Sequence, residues 1–149
     1  MLAAMKVLQD AKCDFYIHTG DVGSELILDQ LTGLPCAFVF GNNDFDRMEM
    51  GRYAEKLGIN CYGNFGDLAL DGKRIAVMHG DDIRLKQRVI AEQRFDYLFL
   101  GHSHVRLDER AGKTRIINPG ALHRAAAKTV VTLDTATDQL SFLLIDESR

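Results

Sequence analysis

Between Tyr97 and Val105 the chain reads YLFLGHSHV, an apolar run that breaks at Gly101 and is followed by His102 and His104. Imidazole is a common ligand of divalent metals and a common proton carrier. Three other apolar runs break in the same manner: YIHTGD ends on Asp21, FVFGNND carries Asn42, Asn43 and Asp44, and VMHGD carries His79 and Asp81. Pooled, these breaks offer carboxylate, amide oxygen and imidazole but no thiolate. That donor set suits manganese, iron, zinc or nickel rather than an iron-sulfur cluster or a structural zinc.

Two histidines at i and i+2 in an extended loop diverge, so His102 and His104 are expected to serve two neighbouring ions. A carboxylate such as Asp21 can bridge a metal pair, and paired ions about 3.5–4 Å apart stabilise the attacking and leaving oxygens of a phosphoryl displacement. Taken singly, each motif has an ordinary reading, because Gly, Asn and Asp are turn residues in any case. The conjunction of GD, GNND, HGD and GHSH, in order and each at the end of an apolar run, is what points to a metal site.

The elements that must position these residues are legible from periodicity. Leu2 to Lys12 has helical apolar spacing, FYIH is a short strand containing His18, and SELILDQL is a helix with Ser24 as its N-cap, closed by Gly33 and Pro35. CAFVF is a buried strand, and Arg47 to Leu57 a helix ended by Gly58. DLAL and RIAVM pair across the turn DGK, Leu85 to Gln93 is a helix, and DYLFL is a buried strand. HVRLDERAGKTRIINPG is a hairpin turning at Ala111 and Gly112, and the tail from Lys128 is a second hairpin whose alternation runs to the terminus. Helix–strand alternation followed by hairpins implies an α/β fold, a layered sandwich of mixed sheets flanked by helices. In open sheets the carboxyl ends of strands form the crevice where sites assemble, so the four polar breaks are expected to converge.

Composition narrows the function. The chain has 149 residues, 46% hydrophobic, with a formal net charge of −3, which fits one domain spanning 1–149. No cluster of Lys and Arg marks a nucleic-acid or anionic-membrane partner. Cys13, Cys36 and Cys61 are odd in number and lack CxxC spacing, so they read as small apolar residues of a reducing compartment. No apolar stretch approaches the roughly 20 residues of a membrane span, and no signal peptide opens the chain. The expected location is the cytoplasm; a homo-oligomer is left open.

These motifs, together with NPGAL at Asn118 to Leu122, resemble in order and spacing the calcineurin-like metallophosphoesterases. Within them the chain is most similar to the small single-domain phosphodiesterases of bacteria and archaea, whose fold the phosphoesterase-like subunit of retromer also uses. The resemblance implies that Asp21 bridges two ions, that Asn42, His79 and His102 complete the second metal position, and that His104 belongs to the first. It implies in-line attack on phosphorus by a hydroxide made available near neutral pH at the metal. Asn43 stands where larger members carry a catalytic histidine, Asp44 orients its neighbours, and Asp81, His123 and Arg124 are further candidates around the substrate.

Members of that family open with a strand ending in D-x-H, which supplies two ligands of the first metal. This sequence contains no D-x-H, and Met1 falls inside the helix that follows that motif. The second position then keeps a full protein set, while the first keeps only Asp21 and His104, so one well-held ion and one weak or absent ion are expected. His18 reads as a structural residue. The fold would lack its first central strand, leaving unpaired backbone groups that direct pairing of the flanking strands, another chain or a misplaced start site would account for. The last is the expectation, because the other motifs are intact. The expected activity is metal-dependent hydrolysis of small phosphate esters, chiefly diesters. The alternative is a catalytically impaired metal-binding or protein-interaction module on the same fold.

Overall fold

The computed structural model describes residues 1–146, so the last three residues, on which the tail's expected alternation would end, lie outside the described residues. The chain runs α1 (Leu2–Asp10), β1 (Tyr16–His18), α2 (Glu25–Asp29), β2 (Cys36–Phe38), α3 (Arg47–Lys56), β3 (Asn60–Cys61), β4 (Phe65–Leu70), β5 (Lys73–Met78), α4 (Ile83–Glu92), β6 (Tyr97–Phe99), β7 (Arg106–Ala111), β8 (Thr114–Pro119), β9 (Thr129–Asp134) and β10 (Gln139–Leu144). Among the described residues no helix is long and apolar enough to cross a membrane.

Strand periodicity builds the layers. In β2 and its extension, Cys36, Phe38 and Phe40 face a core shared with α1, α2 and α3, while Ala37 and Val39 face the opposite way. In β5, Ile75 and Val77 face Ala37 and Val39, whereas Ala76 and Met78 turn outward onto Val89 of α4. The result is helix, sheet, sheet, helix, with an apolar seam between the sheets. Strands covered on both faces need apolar residues at every position, which is why β2 and β6 read as continuous runs rather than alternating ones.

The small sheet is β1-β2-β3, all parallel, and the large sheet is β4-β5-β6-β8-β7, parallel through β5, β6 and β8 with an antiparallel strand at each edge. The hairpin β9-β10 stands apart from both. Among the described residues β1 pairs with β2 alone and β9 with β10 alone, so the flanking strands do not close the expected gap by pairing with each other. Phe15, Ile17, Val131 and Leu133, which face the seam, remain only partly buried beside that gap.

Some boundaries differ from expectation. α2 ends at Asp29 and continues only as turns, and Ser24 takes the extended N-cap backbone without a side-chain capping bond. α4 begins at Ile83, two residues before Leu85, because the Asp82 carboxylate accepts the Leu85 N–H at 2.9 Å. The β7–β8 turn is Gly112 and Lys113, with Ala111 still paired to Thr114. β3 has no apolar run to announce it; two residues suffice because Ala37 and Phe38 offer the register.

A polar cluster ties the tail hairpin to the large sheet. Arg115 grips Asp108 with Nε and Nη2 at 2.8 and 2.9 Å and reaches Asp138 with Nη1, while the Tyr97 hydroxyl donates to Asp138 at 2.9 Å. Burial, reinforced by the bond to Asp138, pushes the Tyr97 phenol up to about 12. Its folded value exceeds the unfolded value of about 10, so this contribution is complete below pH 10 and disappears as pH rises through 12. The urea midpoint is therefore expected to fall between pH 10 and 12, and to fall less steeply in Tyr97→Phe; equal slopes in the two proteins would contradict it.

Candidate functional site

Four loops leave the carboxyl ends of β1, β2, β5 and β6 and meet at one edge of the two sheets. Asp44 holds the first two together. Only 3% exposed, its carboxylate accepts the backbone N–H of Gly23 and Gly41 at 2.8 Å each and of Val22 at 3.2 Å. Arg47, at the start of α3, donates to the Asp44 carbonyl at 3.0 Å, the Gly41 carbonyl at 2.8 Å and Asn64 Oδ1 at 2.7 Å. The loops pass so closely that only glycine fits at two points. A Cβ on Gly41 would collide with the Asp21 carboxylate, and one on Gly20, whose φ is +103°, would lie 2.6 Å from His79 Nδ1.

Asp21, Asn42, His79 and His102 come together at the centre. His79, 4% exposed, places Nδ1 2.8 Å from the Thr19 carbonyl and Nε2 2.9 Å from Asn42 Oδ1 and 3.4 Å from Asp21 Oδ2. His102 Nδ1 stands 3.1 Å from the same Asn42 oxygen. Asn43 donates its backbone N–H and its side-chain amide to the two Asp21 oxygens at 2.9 and 3.0 Å. Burial pushes the Asp21 carboxyl up, but these two bonds, with His79 and His102 nearby, bring it below the usual carboxylate range. Asp21 is therefore an anion at neutral pH.

A carbonyl only accepts, so His79 Nδ1 donates to Thr19, and Nε2 is the ring nitrogen that faces the Asn42 oxygen and the Asp21 carboxylate. Imidazole nitrogen, amide oxygen and carboxylate are ligand types that suit a divalent ion. A buried backbone carbonyl holding the far nitrogen of an imidazole is also the usual support for a metal-binding histidine. Among the described residues no three His, Cys, Asp or Glu side chains are gathered closely enough to hold a metal ion, Asp21, His79 and His102 included. By donor type alone, Asp21, Asn42, His79 and His102 suit one divalent ion.

His102 and His104 do not lie in an extended loop. Both take left-handed backbone, φ +62° and +59°, and Ser103 N–H donates to the Gly101 carbonyl at 2.7 Å, a three-residue turn centred on His102. Asn118, buried below, shapes this turn by donating to the Gly101 carbonyl at 2.7 Å and Ser103 Oγ at 3.1 Å. His102 thus reaches Asn42. His104 is exposed and lines the same cavity, as do His123 and Arg124, but among the described residues no hydrogen bond joins it to Asp21 or the other donors. Asp81 is exposed beside the site loop. His18 closes β1 and its Nδ1 accepts the Gly20 N–H at 3.2 Å; burial holds its pKa down, so it is a neutral structural residue. Burial also pushes all three cysteine thiols up, in keeping with their reading as inert side chains.

Sequence reasoning missed Arg47, Thr19 and Asn118 as parts of the site. Arg47 had a faint signal, a cation shortly after GNND at the opening of a helix. Thr19 acts through its backbone carbonyl, which no side-chain pattern reveals.

Comparison with known proteins places this geometry among relatives. A model of the calcineurin-like phosphoesterase superfamily domain matches residues 1–138. A phosphodiesterase of Methanocaldococcus jannaschii is 22% identical over 148 residues, covering 96% of this chain and 89% of that protein. The solved structure of an archaeal phosphodiesterase superposes with a TM-score of 0.86 at 21% identity, over 93% of this chain and 87% of the other. Vps29 of Entamoeba histolytica, solved as a single mutant, superposes at 0.61 with 17% identity, over 95% and 89% of the two chains. At these identities the superpositions speak to the fold, which is the layered sandwich described above.

Asp44→Asn replaces one of two accepting oxygens by an NH2 group, which leaves at least one of three loop N–H groups without an acceptor. The expected loss is about 1–3 kcal/mol in urea unfolding, against less than about 0.5 kcal/mol for exposed Asp81→Asn. Equal losses in the two variants would contradict the role given to Asp44.

Proposed function

The chain belongs to the calcineurin-like phosphoesterase superfamily, and from that membership we propose that it is a metal-dependent phosphoesterase acting chiefly on small phosphodiesters. The observation that carries the reading is the meeting of an imidazole nitrogen, an amide oxygen and a carboxylate oxygen, His79 Nε2 standing 2.9 Å from Asn42 Oδ1 and 3.4 Å from Asp21 Oδ2. Superfamily members generally bind divalent metals. The 22% identical relative bears the name phosphodiesterase, which supports diesters over monoesters.

A divalent ion in this site supplies Lewis acidity toward a phosphoryl oxygen and lowers the pKa of water near it. The protein's share is placement. Asp21, Asn42, His79 and His102 hold the cation, and Asn43 keeps the Asp21 carboxylate oriented through two hydrogen bonds. His104, His123 and Arg124 line the approach, where their N–H groups suit a phosphate's oxygens. Asn43 has no acidic proton to give a leaving oxygen. Leaving groups that depart as stable anions, such as phenolates, are therefore the favoured ones. The reading takes the cytoplasm as the location, a reducing compartment that would keep Cys13, Cys36 and Cys61 as the thiols they are.

One observation favours the second reading, a metal-binding or protein-interaction module without turnover: His104 stands apart from the four converging donors. A single set of assays separates the two. Purified protein with Mn²⁺ is expected to release p-nitrophenol from bis-p-nitrophenyl phosphate, with rates falling as the leaving-group pKa rises. Asn42→Ala and His102→Ala are expected to lower kcat/KM and Mn²⁺ affinity together, by roughly a hundredfold. Metal binding without turnover would select the metal-binding module, and neither binding nor turnover would overturn the phosphoesterase and the metal-binding module alike, leaving the protein-interaction module.

A further inference from the structure

Three of the four most exposed large apolar side chains among the described residues gather at the start of α2 and α3: Leu26 is 71% exposed, Phe45 87% and Met48 70%. The local geometry brings them together. Val22 and Gly23 donate their N–H groups to Asp44, the residue before Phe45, and the two helices run side by side from there, with the Tyr53 hydroxyl donating to Asp29 at 2.6 Å. Leu28 and Met50, two residues beyond Leu26 and Met48, are buried in the helix-side core, so a helical rotation of about 200° turns Leu26 and Met48 outward. Phe45 precedes the N-cap Asp46, whose carboxylate accepts the Glu49 N–H, and an apolar residue so placed ordinarily packs on the fourth residue of its helix, here Met50. Met50 points into the core instead, and Phe45 is left in solvent. Apolar side chains gathered on a surface, rather than scattered singly, mark an interaction site.

The rim of the patch is acidic. Glu25, Asp46 and Glu49 are all exposed, and they stand close enough that the hydrogen bond with Asp46, together with the charges of Asp46 and Glu25, pushes the Glu49 carboxyl up. Arg52 opposes them, while Arg47 directs its guanidinium to the carbonyls of Asp44 and Gly41 and to Asn64. We propose that this patch docks a partner protein through an amphipathic helix whose apolar stripe is flanked by lysine and arginine. Two packed helices lie about 8–10 Å apart, and residues i and i+7 of a third helix lie about 10 Å apart. One stripe therefore reaches both Leu26 and Met48, with Phe45 packed against a residue between the two anchors. The basic flanks answer Glu25, Asp46 and Glu49. The same rim repels a nucleic acid or an anionic membrane. Asn43, two residues before Phe45, holds Asp21, so the docked helix borders the candidate metal site. The inference stands on the exposed side chains and does not depend on the proposed activity.

The probe is an acetylated, amidated peptide of leucine and lysine about 14 residues long, roughly four turns of helix, with leucines at i, i+3, i+4 and i+7. Titrated into the full chain, it is expected to bind saturably and to shift the methyl NMR signals of Leu26 and Met48. The double variant Phe45→Ser, Met48→Ser is expected to keep its Tm, because both side chains are exposed, and to bind about tenfold more weakly or worse. Leu144→Ser, which removes a comparably exposed apolar side chain from β10, is expected to bind like the unaltered chain. The same peptide with glutamate in place of lysine is expected not to bind. No binding of the lysine peptide, equal binding by the double variant, or equal binding of the glutamate peptide would overturn the docking site. Dimers that grow with protein concentration in sedimentation and vanish in the double variant would assign the patch to a second copy of the chain and overturn the proposal equally.

Discussion

Backbone N–H groups of Val22, Gly23 and Gly41, from two loops about twenty residues apart in sequence, end on one buried carboxylate, Asp44. A carboxylate in such a place is stabilised only by donors aimed at it, and loops so irregular have no ladder of their own to satisfy their N–H groups. Each therefore meets a need of the other. With the loops locked, Asn42 and Asn43 have fixed positions relative to Asp21, and the remaining contacts of the site follow. Arg47 acts from the outer side, capping the carbonyls of Asp44 and Gly41 with a guanidinium that also lies over the Phe40 ring.

The site also stores strain. Asp21, His102 and His104 all hold left-handed backbone, which costs a non-glycine residue on the order of 1–3 kcal/mol where the surroundings impose it. The surroundings are identifiable in each of the first two cases: Asn43 clamps the Asp21 carboxylate and Asn118 supports the turn at His102. The consequence is directional. Left-handed backbone turns the side chain away from where an extended loop would send it, and that turn brings the His102 ring to the Asn42 oxygen while its neighbour two residues on stays in the open cavity.

Each face of β2 packs into a core of its own. Phe38, Leu28 and Ala54 are fully buried on the helix side, as are Val39 and Ile117 in the seam, with Ile75 nearly so. Phe15, Ile17, Val131 and Leu133 pack on the seam and are partly buried. The cluster of Arg115, Asp108, Asp138 and Tyr97 anchors the tail hairpin to the large sheet from its far end.

The sequence by itself determined the architecture and most of the site. Apolar runs of three to five residues, bounded by turn residues, read as strands covered on both faces, and a polar break at the end of each run places its residues at the carboxyl edge. That the loops carrying Asp21, Asn42, His79 and His102 would meet was readable from those two facts; the grouping of these four out of the polar residues the loops pool was implied only by the resemblance. Tertiary structure alone decided the rest, because the deciding groups lie on the backbone or depend on distant partners. The Thr19 carbonyl that holds His79 Nδ1 has no side-chain signature. The separation of His102 from His104 depends on φ values that Asn118, far downstream in the chain, helps to impose. The two-residue strand β3 exists because β2 offers it a register, which no local pattern encodes.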